Sequence, residues 1–156
     1  MLQLCYASTR NESEHDLLTD LSDILATSRL FNYQHMIFGV LYYAQGHFFQ
    51  CLQGEDAIVN ELFTRIEHDS RHREVFRFDD QWIEHPNFTK WSMKYVHKHG
   101  LISSFFKRMG HLSFQPHALE QHQLVEFIHL LHEVDENHAA LATPQGYKHR
   151  GFIPYF

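Results

Sequence analysis

The stretch MIFGVLYYAQGHFFQCLQGE, Met36 to Glu55, decides the fold of this 156-residue chain. Two apolar, aromatic runs flank the short segment AQG, which predicts a β-hairpin with Gly46 in its turn. Neither run alternates cleanly between apolar and polar residues, which is typical of strands covered on both faces. The second run nevertheless carries an uncharged amide, Gln50, at its centre. A buried amide is costly without a hydrogen-bond partner, so the question is what Gln50 contacts.

The segments before and after the hairpin alternate between strand and helix patterns. A strand with two largely apolar sides opens the chain, and the capping box SEHD, Ser13 to Asp16, precedes an amphipathic helix. We expect this helix to end near Asn32. A second helix is predicted from about Asp56 to His68. Two further strand candidates, EVFRFDDQWIE and TKWSMKYV, are separated by a turn at Pro86.

This order predicts an α+β fold, a ferredoxin-like βαββαββ sheet with two helices on one face. In that topology the first strand lies beside the third. Because strand side chains alternate between faces, Tyr6 and Gln50 can meet beneath the two helices. The opposite face is also apolar and needs a separate cover. Its residues are Cys5, Ala7, Phe49 and Cys51.

The C-terminal third supplies a candidate for that cover. LISSFFKRM, which follows Gly100, predicts a short helix, and Pro116 lies near the start of a longer one. We expect these helices to lie across the second face of the sheet, and the tail from about Ala139 to be irregular. The apolar stripe of the longer helix consists of Leu124, Phe127, Ile128, Leu131 and Val134.

Bulk properties exclude several classes of function. A net charge of −6 gives no electrostatic basis for binding nucleic acid or an anionic membrane. The N-terminus lacks signal-peptide features and no run is apolar enough to span a bilayer, so we expect a cytoplasmic protein. The 15 histidines show no HExxH or CxxC context, and we expect no metal site. Cys5 and Cys51 are read as small buried hydrophobic residues rather than a disulfide.

Six motifs in order and spacing resemble those of the BLUF domain, a blue-light sensor that uses flavin. They cover residues 2 to about 96. Together with a single short C-terminal extension, they are similar to the short single-domain bacterial BLUF proteins, including the photoregulators of Acinetobacter. The motifs are LCYAS, SRLFN, IFGVLYY, HFFQCLQGE, DSRHREV and KWSMKY.

The resemblance implies a domain at residues 1–98 that binds FAD non-covalently between the two helices, followed by a helical extension and tail at 99–156. It implies that Tyr6 donates an electron to the excited flavin and that Gln50 links the tyrosine hydroxyl to the flavin. Asn32 would bind the polar edge of the ring. Ser8, Phe48, Arg71 and His72 would line the ring or the ribityl-phosphate region, and Trp91 and Met93 would rearrange with light, Met93 also contacting the cofactor.

Two positions depart from the family pattern. Gln53 replaces the usual Glu, and Phe38 replaces the usual small polar residue before Gly39. Both lie away from the Tyr6–Gln50 pair, so the photochemistry stays plausible while sheet packing or the base of the hairpin could differ.

Each candidate residue also has an ordinary role when it is taken alone, and only the combination favours a flavin site. Those roles are a core tyrosine for Tyr6, a partly wet strand residue for Gln50, a helix C-cap for Asn32, charge complementing a helix end for Arg71 and His72, and core packing for Trp91 and Met93.

The output is expected to be a protein contact. No Rossmann fingerprint or nucleophile motif is present, so we do not expect an enzyme. The resemblance implies a protein partner, a transcription regulator, and a weak homo-oligomer is compatible with the sequence. A cofactor-free ferredoxin-like interaction module is the main alternative. An acylphosphatase-type hydrolase on the same fold lacks the Gly-rich anion loop that its chemistry needs.

Overall fold

The computed structural model describes residues 1–12, 15–89, 91–95 and 100–141, and for 91–95 and 135–141 it describes the backbone only. Six strands form one sheet. They are β1 (Leu2–Arg10), β2 (Phe38–Ala44), β3 (His47–Gly54), β4 (His72–Arg77), β5 (Gln81–Trp82) and β6 (Trp91–Tyr95). The helices are α1 (Leu17–Gln34), α2 (Asp56–Glu67), α3 (Gly100–Arg108) and α4 (Gln121–Leu141).

The sheet has the strand order β4-β1-β3-β2-β6, with β5 also pairing to β1. This confirms the predicted α+β, ferredoxin-like arrangement, including the place of β1 beside β3, and the two strands pair antiparallel. The hairpin of β2 and β3 turns at Gln45 and Gly46, which both have positive φ, as a two-residue turn of this hand requires. Strand β6 extends the sheet by pairing in parallel with β2.

The segment EVFRFDDQWIE was predicted as one strand, and this is wrong because it divides into β4 and β5. Phe78 still donates a backbone hydrogen bond to Cys5, and Gln81 pairs with Gln3. Two residues lie between Phe78 and Gln81, whereas only one, Leu4, lies between their partners Cys5 and Gln3 on β1, so the ladder is interrupted there. The Arg77 guanidinium bonds the Asp80 carboxylate across the interruption, at 2.9 Å from Nε to Oδ1.

The first helix differs from its prediction at both ends. Asp16 is its N-cap, accepting from the Thr19 backbone N–H at 2.7 Å, whereas the predicted cap at Ser13 lies outside the described residues. At the other end α1 continues to Gln34, and Met36, with a φ of +52°, turns the chain. Asn32 therefore lies inside the last turn and is not the C-cap.

The C-terminal segment forms the predicted helices. Pro116 begins a separate 3-10 turn, Pro116–Ala118, ahead of α4. Helix α4 passes Ala139 and is described as far as Leu141, so the start of the irregular tail predicted at about Ala139 is wrong. Residues 142–156 lie outside the described residues. Among the described residues no helix has the length and apolar character needed to cross a membrane.

Two hydrophobic clusters cover the two faces of the sheet. One packs α1 and α2 on the face that carries Leu4, Tyr6 and Leu52. The other packs α3 and α4 on the face that carries Cys5, Ala7, Phe49 and Cys51, which confirms that the C-terminal helices cover the second face. The predicted stripe of α4, Leu124, Phe127, Ile128, Leu131 and Val134, is buried throughout.

Gly39 is required by the close approach of β2 to β3. Its φ is +139°, a conformation that L side chains rarely adopt, and a Cβ built on it would lie 1.9 Å from the carbonyl oxygen of Cys51. Gly46 also has a positive φ, +85°, but a Cβ there meets no atom within 4 Å. A side chain at Gly46 would therefore cause backbone strain alone, whereas a side chain at Gly39 would cause both strain and a steric clash.

We expect Gly39→Ala to lower the free energy of unfolding by more than about 3 kcal/mol, because strain and a backbone clash act together. Gly46→Ala should cost only about 1–2 kcal/mol, the strain alone. Urea unfolding followed by circular dichroism measures both. Equal losses in the two variants would contradict the assigned clash.

Candidate functional site

A cavity of about 530 Å³, part of it open to solvent, lies between the first two helices and the sheet. Three residues on successive turns of α1 line one side of this cavity, namely Ile24, Ser28 and Asn32. The remaining lining residues are Tyr6, Leu41, Phe48 and Gln50 of the sheet, Leu62 and Ile66 of α2, and Asp69, Arg71 and His72 beyond it.

Tyr6 and Gln50 lie directly opposite one another on β1 and β3. The tyrosine hydroxyl donates a hydrogen bond of 2.6 Å to Oε1 of Gln50, and both side chains are buried. The buried Gln50 amide thus has a hydrogen-bond partner, the Tyr6 hydroxyl, on the same face of the sheet. With Oε1 accepting from Tyr6, the N–H groups of Nε2 remain available to donate to a molecule in the cavity.

Burial raises the pKa of the Tyr6 hydroxyl well above its ordinary value, and the negative charge of Asp69 raises it further. The positive charge of Arg71 acts in the opposite direction. Tyr6 is therefore held as a neutral phenol whose proton is already directed at Gln50. Phe63 packs against its ring, with the ring centroids 5.5 Å apart.

Asn32 is the clearest sign that the cavity is built for a polar ligand. The side chain is 1% exposed, and neither its Oδ1 nor its Nδ2 has a hydrogen-bond partner within the described residues. Burying an amide in this way costs free energy unless a bound molecule supplies both a donor and an acceptor.

Arg71 and Asp69 form an ion pair at the edge of the cavity. Arg71 donates from Nε to Asp69 Oδ1 at 2.9 Å and from Nη2 to Oδ2 at 2.5 Å. The hydrogen bond from Arg71 lowers the pKa of Asp69, and the same bond raises the pKa of Arg71. This pairing fixes the guanidinium in one orientation and leaves other N–H groups able to reach a ligand.

His72 is fixed from two sides. Its Nε2 lies 2.5 Å from the carbonyl oxygen of Ile66, which can only accept, so Nε2 carries the proton. In the neutral ring Nδ1 then accepts from the Ser8 hydroxyl, 2.9 Å away. The Ser8 hydroxyl therefore helps to position His72, and its predicted place at the cofactor stays a prediction. Phe48 packs edge-on against the same ring, at 6.4 Å between centroids.

The predicted site residues on β6 are placed only in part. Trp91 is in register with Gly39 and Met93 with Leu41, on the strand next to β2. The side chains of Trp91 and Met93 lie outside the described residues. Their predicted response to light therefore stays a prediction.

The sequence reasoning missed two polar lining residues, Ser28 and Asp69. Ser28 lies four residues before Asn32 and four after Ile24, so helical spacing from Asn32 could have identified it. Helical spacing could not have identified Asp69, because it lies in the turn after α2. Its place at the cavity depends on how the chain turns there.

The family model for sensors of blue light using FAD matches residues 1–94 of this chain. The chain belongs to the BLUF family. The residues that line the cavity fall inside the matched range. This BLUF domain is therefore a member of the flavin-binding blue-light photoreceptors.

Solved BLUF structures share the fold. The photo-activated state of BlsA is 46% identical, with a TM-score of 0.78, and the match covers 84% of this chain and 94% of that one. The ground state of BlsA is 46% identical, with a TM-score of 0.79 and coverage of 84% and 87%. The dark state of BlrB is 27% identical, with a TM-score of 0.70 and coverage of 85% and 96%. A comparison with curated proteins gave no match.

The residues of this BLUF cavity fit a flavin. The ring system of a flavin is flat and largely apolar, and its pyrimidine edge alternates carbonyl acceptors with an N–H donor. Ile24, Leu62 and Ile66 supply apolar walls, while the unpaired Asn32 amide offers a matching donor and acceptor. Asn32 and Arg71 would hold the polar edge, and Gln50 would donate to the side nearest the sheet.

The raised pKa of Tyr6 gives a test at alkaline pH. Such a group contributes stability that is fully present below the pKa of the unfolded chain, about 10, and is lost as the pH rises toward the folded pKa. The free energy of unfolding should therefore fall less between about pH 9 and pH 11 in Tyr6→Phe than in the parent protein. Tyr42, whose pKa burial raises to about 12, acts in both proteins and cancels in the comparison. Parallel pH profiles from urea unfolding would contradict this account.

Proposed function

We propose that this BLUF domain senses blue light through FAD bound in the cavity, with Tyr6 as electron donor and Gln50 as the group that switches. The observation that carries the proposal is the 2.6 Å hydrogen bond from Tyr6 to Gln50 at the wall of a cavity that also holds the unpaired Asn32 amide. One buried phenol, one buried amide and one polar ligand-binding residue then face the same bound ring.

The proposed step moves one electron and one proton. Bound flavin supplies absorption of blue light and, when excited, accepts an electron. Tyr6 loses that electron, and its hydroxyl proton moves along the existing hydrogen bond toward Gln50 Oε1. The electron and proton then return to Tyr6, and the net change is that the Gln50 amide has reoriented or changed tautomer.

An amide suits this task because it carries both an acceptor and a donor without a charge. Its rearrangement exchanges donor for acceptor toward the flavin and toward Tyr6. A carboxylate at position 50 could do this only by changing its charge in a buried site, where the cost would be severe.

The free energy available from this change favours a graded response. A buried hydrogen bond is worth about 0.5–1.5 kcal/mol net. That is enough to shift a two-state equilibrium several-fold, but reversing it from 1:99 to 99:1 takes about 5.5 kcal/mol. We therefore expect light to bias packing that already exists and not to refold the domain.

We propose that the output is a light-dependent contact with a protein partner, a transcription regulator, and not catalysis. Helices α3 and α4 pack on the reverse face of the strands that carry Tyr6 and Gln50. A shift in those strands thus reaches a helical surface through contiguous packing. The regulator class rests on the likeness of this chain to short BLUF proteins.

The proposed photochemistry predicts a specific loss in Gln50→Leu. The parent protein should be yellow, release FAD on denaturation, and show a small red shift of its flavin spectrum under blue light that reverses in the dark. Gln50→Leu should bind flavin and lose the red shift, because no amide remains to rearrange. Tyr6→Phe should lose it as well, for lack of the electron donor. Absorption spectra before and after illumination measure all three.

Gln34→Ala is the matched control, since Gln34 is an exposed amide at the end of α1, and it should keep the normal shift. A reversible red shift that persists in Gln50→Leu would rule out the proposed switch. Protein that stays colourless after supplementation with flavin would favour the cofactor-free interaction module instead.

The proposed partner predicts light-dependent capture. Tagged protein used as bait in extracts of the native cell should retain a DNA-binding regulator to different extents in light and in the dark. The Gln50→Leu bait should show one level of capture under both conditions, because its switch is fixed. Equal capture by the parent bait in light and dark would argue against a light-dependent contact with that regulator.

A further inference from the structure

Gln53 is a second buried amide on β3, three residues beyond Gln50 and on the opposite face of the sheet. It is 0% exposed. Its Nε2 donates to Gln3 Oε1 at 2.7 Å, and its Oε1 accepts from the backbone N–H groups of Asn87 at 2.8 Å and Phe88 at 3.4 Å. The side chain thus joins three separate segments through hydrogen bonds.

Two buried side-chain hydrogen bonds join β1 to β3, in addition to the partly exposed Thr9–His47 contact at the end of the strands. Tyr6 bonds Gln50 on the cavity face, and Gln3 bonds Gln53 on the face that α3 and α4 cover. The two bridges are three residues apart on both strands, and in each the partners lie directly opposite in register. A relative movement of β1 and β3 at the first bridge must therefore be absorbed at the second.

The second bridge is connected to α4 through the loop before β6. Gln53 holds the backbone of this loop at Asn87 and Phe88. The Phe88 side chain is 1% exposed and lies in the same hydrophobic cluster as Phe127 and Leu131 of α4. Its ring also contacts His132, with the ring centroids 5.8 Å apart. An adjustment at Gln53 thus has a short, packed route to α4.

We infer that Gln53 is a positioning residue that transmits rearrangement of the Tyr6–Gln50 pair to α4, by way of Gln3 on β1 and the Asn87–Phe88 backbone. This inference rests on the proposed light response of the Tyr6–Gln50 pair. It assigns a role to a position where this chain departs from the usual glutamate of the family.

The hydrogen bonds formed at position 53 suit an amide. One side of residue 53 faces an acceptor, Gln3 Oε1, and the other faces two backbone donors. An ionised carboxylate satisfies the donors but has no proton to give Gln3, and it would carry a charge into a buried site. Phe38, the second departure, lies directly opposite Gln53 on β2 and packs against the same cluster. Gln53 and Phe38, the two positions that depart from the family pattern, are therefore neighbours on the face of the sheet that α3 and α4 cover.

Three variants test the inference. Gln53→Met keeps an unbranched side chain and removes the three side-chain hydrogen bonds of Gln53. Gln3→Met removes the Gln3–Gln53 hydrogen bond by changing the partner on β1. Gln81→Ala is the control, because Gln81 only accepts from Gln3 Nε2 at 3.1 Å and leaves the Gln3–Gln53 bond intact. The flavin red shift is measured in each, together with hydrogen exchange of the α4 amides in light and in darkness.

We expect all three variants to keep the reversible red shift. In Gln53→Met and Gln3→Met the light-to-dark ratio of α4 exchange rates should shrink toward one by about threefold or more, the factor expected for one lost hydrogen bond. A purely structural role would raise exchange equally in both states and leave the ratio unchanged. Gln81→Ala should keep the parent ratio.

An unchanged ratio in Gln3→Met, or an equal loss in Gln81→Ala, would overturn the inference. Gln3→Met decides the matter if Gln53→Met fails to fold. A parent protein with a normal red shift but the same α4 exchange in light and dark would also overturn it, with the photochemistry intact. A parent protein without any red shift would instead overturn the proposed function.

Discussion

The hydrogen bond between Tyr6 and Gln50 is the interaction on which the rest of the molecule depends. It requires β1 and β3 to be adjacent, antiparallel and in one particular register. A shift of one residue would turn the amide to the opposite face. It also requires a dry setting, since water would compete for both groups. The helices on both faces, and the glycine that lets β2 approach β3, maintain those two conditions.

The two faces of the sheet carry different tasks. On one face, α1 and α2 leave a cavity where polar side chains meet apolar walls. On the other, α3 and α4 pack around rings such as Phe49, Phe106 and Phe127. Because the same strands form both walls, a change in hydrogen bonding on the first face is mechanically connected to packing on the second. The buried amide of Gln53 is the one polar connection that crosses from β3 to the loop beneath α4 in the described part of the chain.

Local patterns predicted the elements well and their limits less well. Alternation, helical spacing and the turn at Gly46 identified the hairpin, both covering helices and the stripe of α4. The division of EVFRFDDQWIE depends on how many residues oppose β1, and the end of α1 depends on the backbone conformation of Met36. The pattern of apolar and polar residues predicts neither the register against β1 nor the backbone conformation of Met36. The hydrogen bond from the Ser8 hydroxyl to His72 was likewise not predictable from spacing along the chain.

The sequence by itself determined the place of β1 beside β3, the apolar character of both faces of the sheet and the meeting of Tyr6 with Gln50, because strand periodicity and topology are local or rule-bound properties. Only the tertiary structure decided which polar atoms are satisfied. It left the Asn32 amide unpaired in the cavity, paired Asp69 with Arg71, and gave Gln53 three partners from distant segments. Hydrogen-bond satisfaction depends on distances of a few tenths of an ångström between residues far apart in the chain, and residue spacing along the sequence does not carry that information.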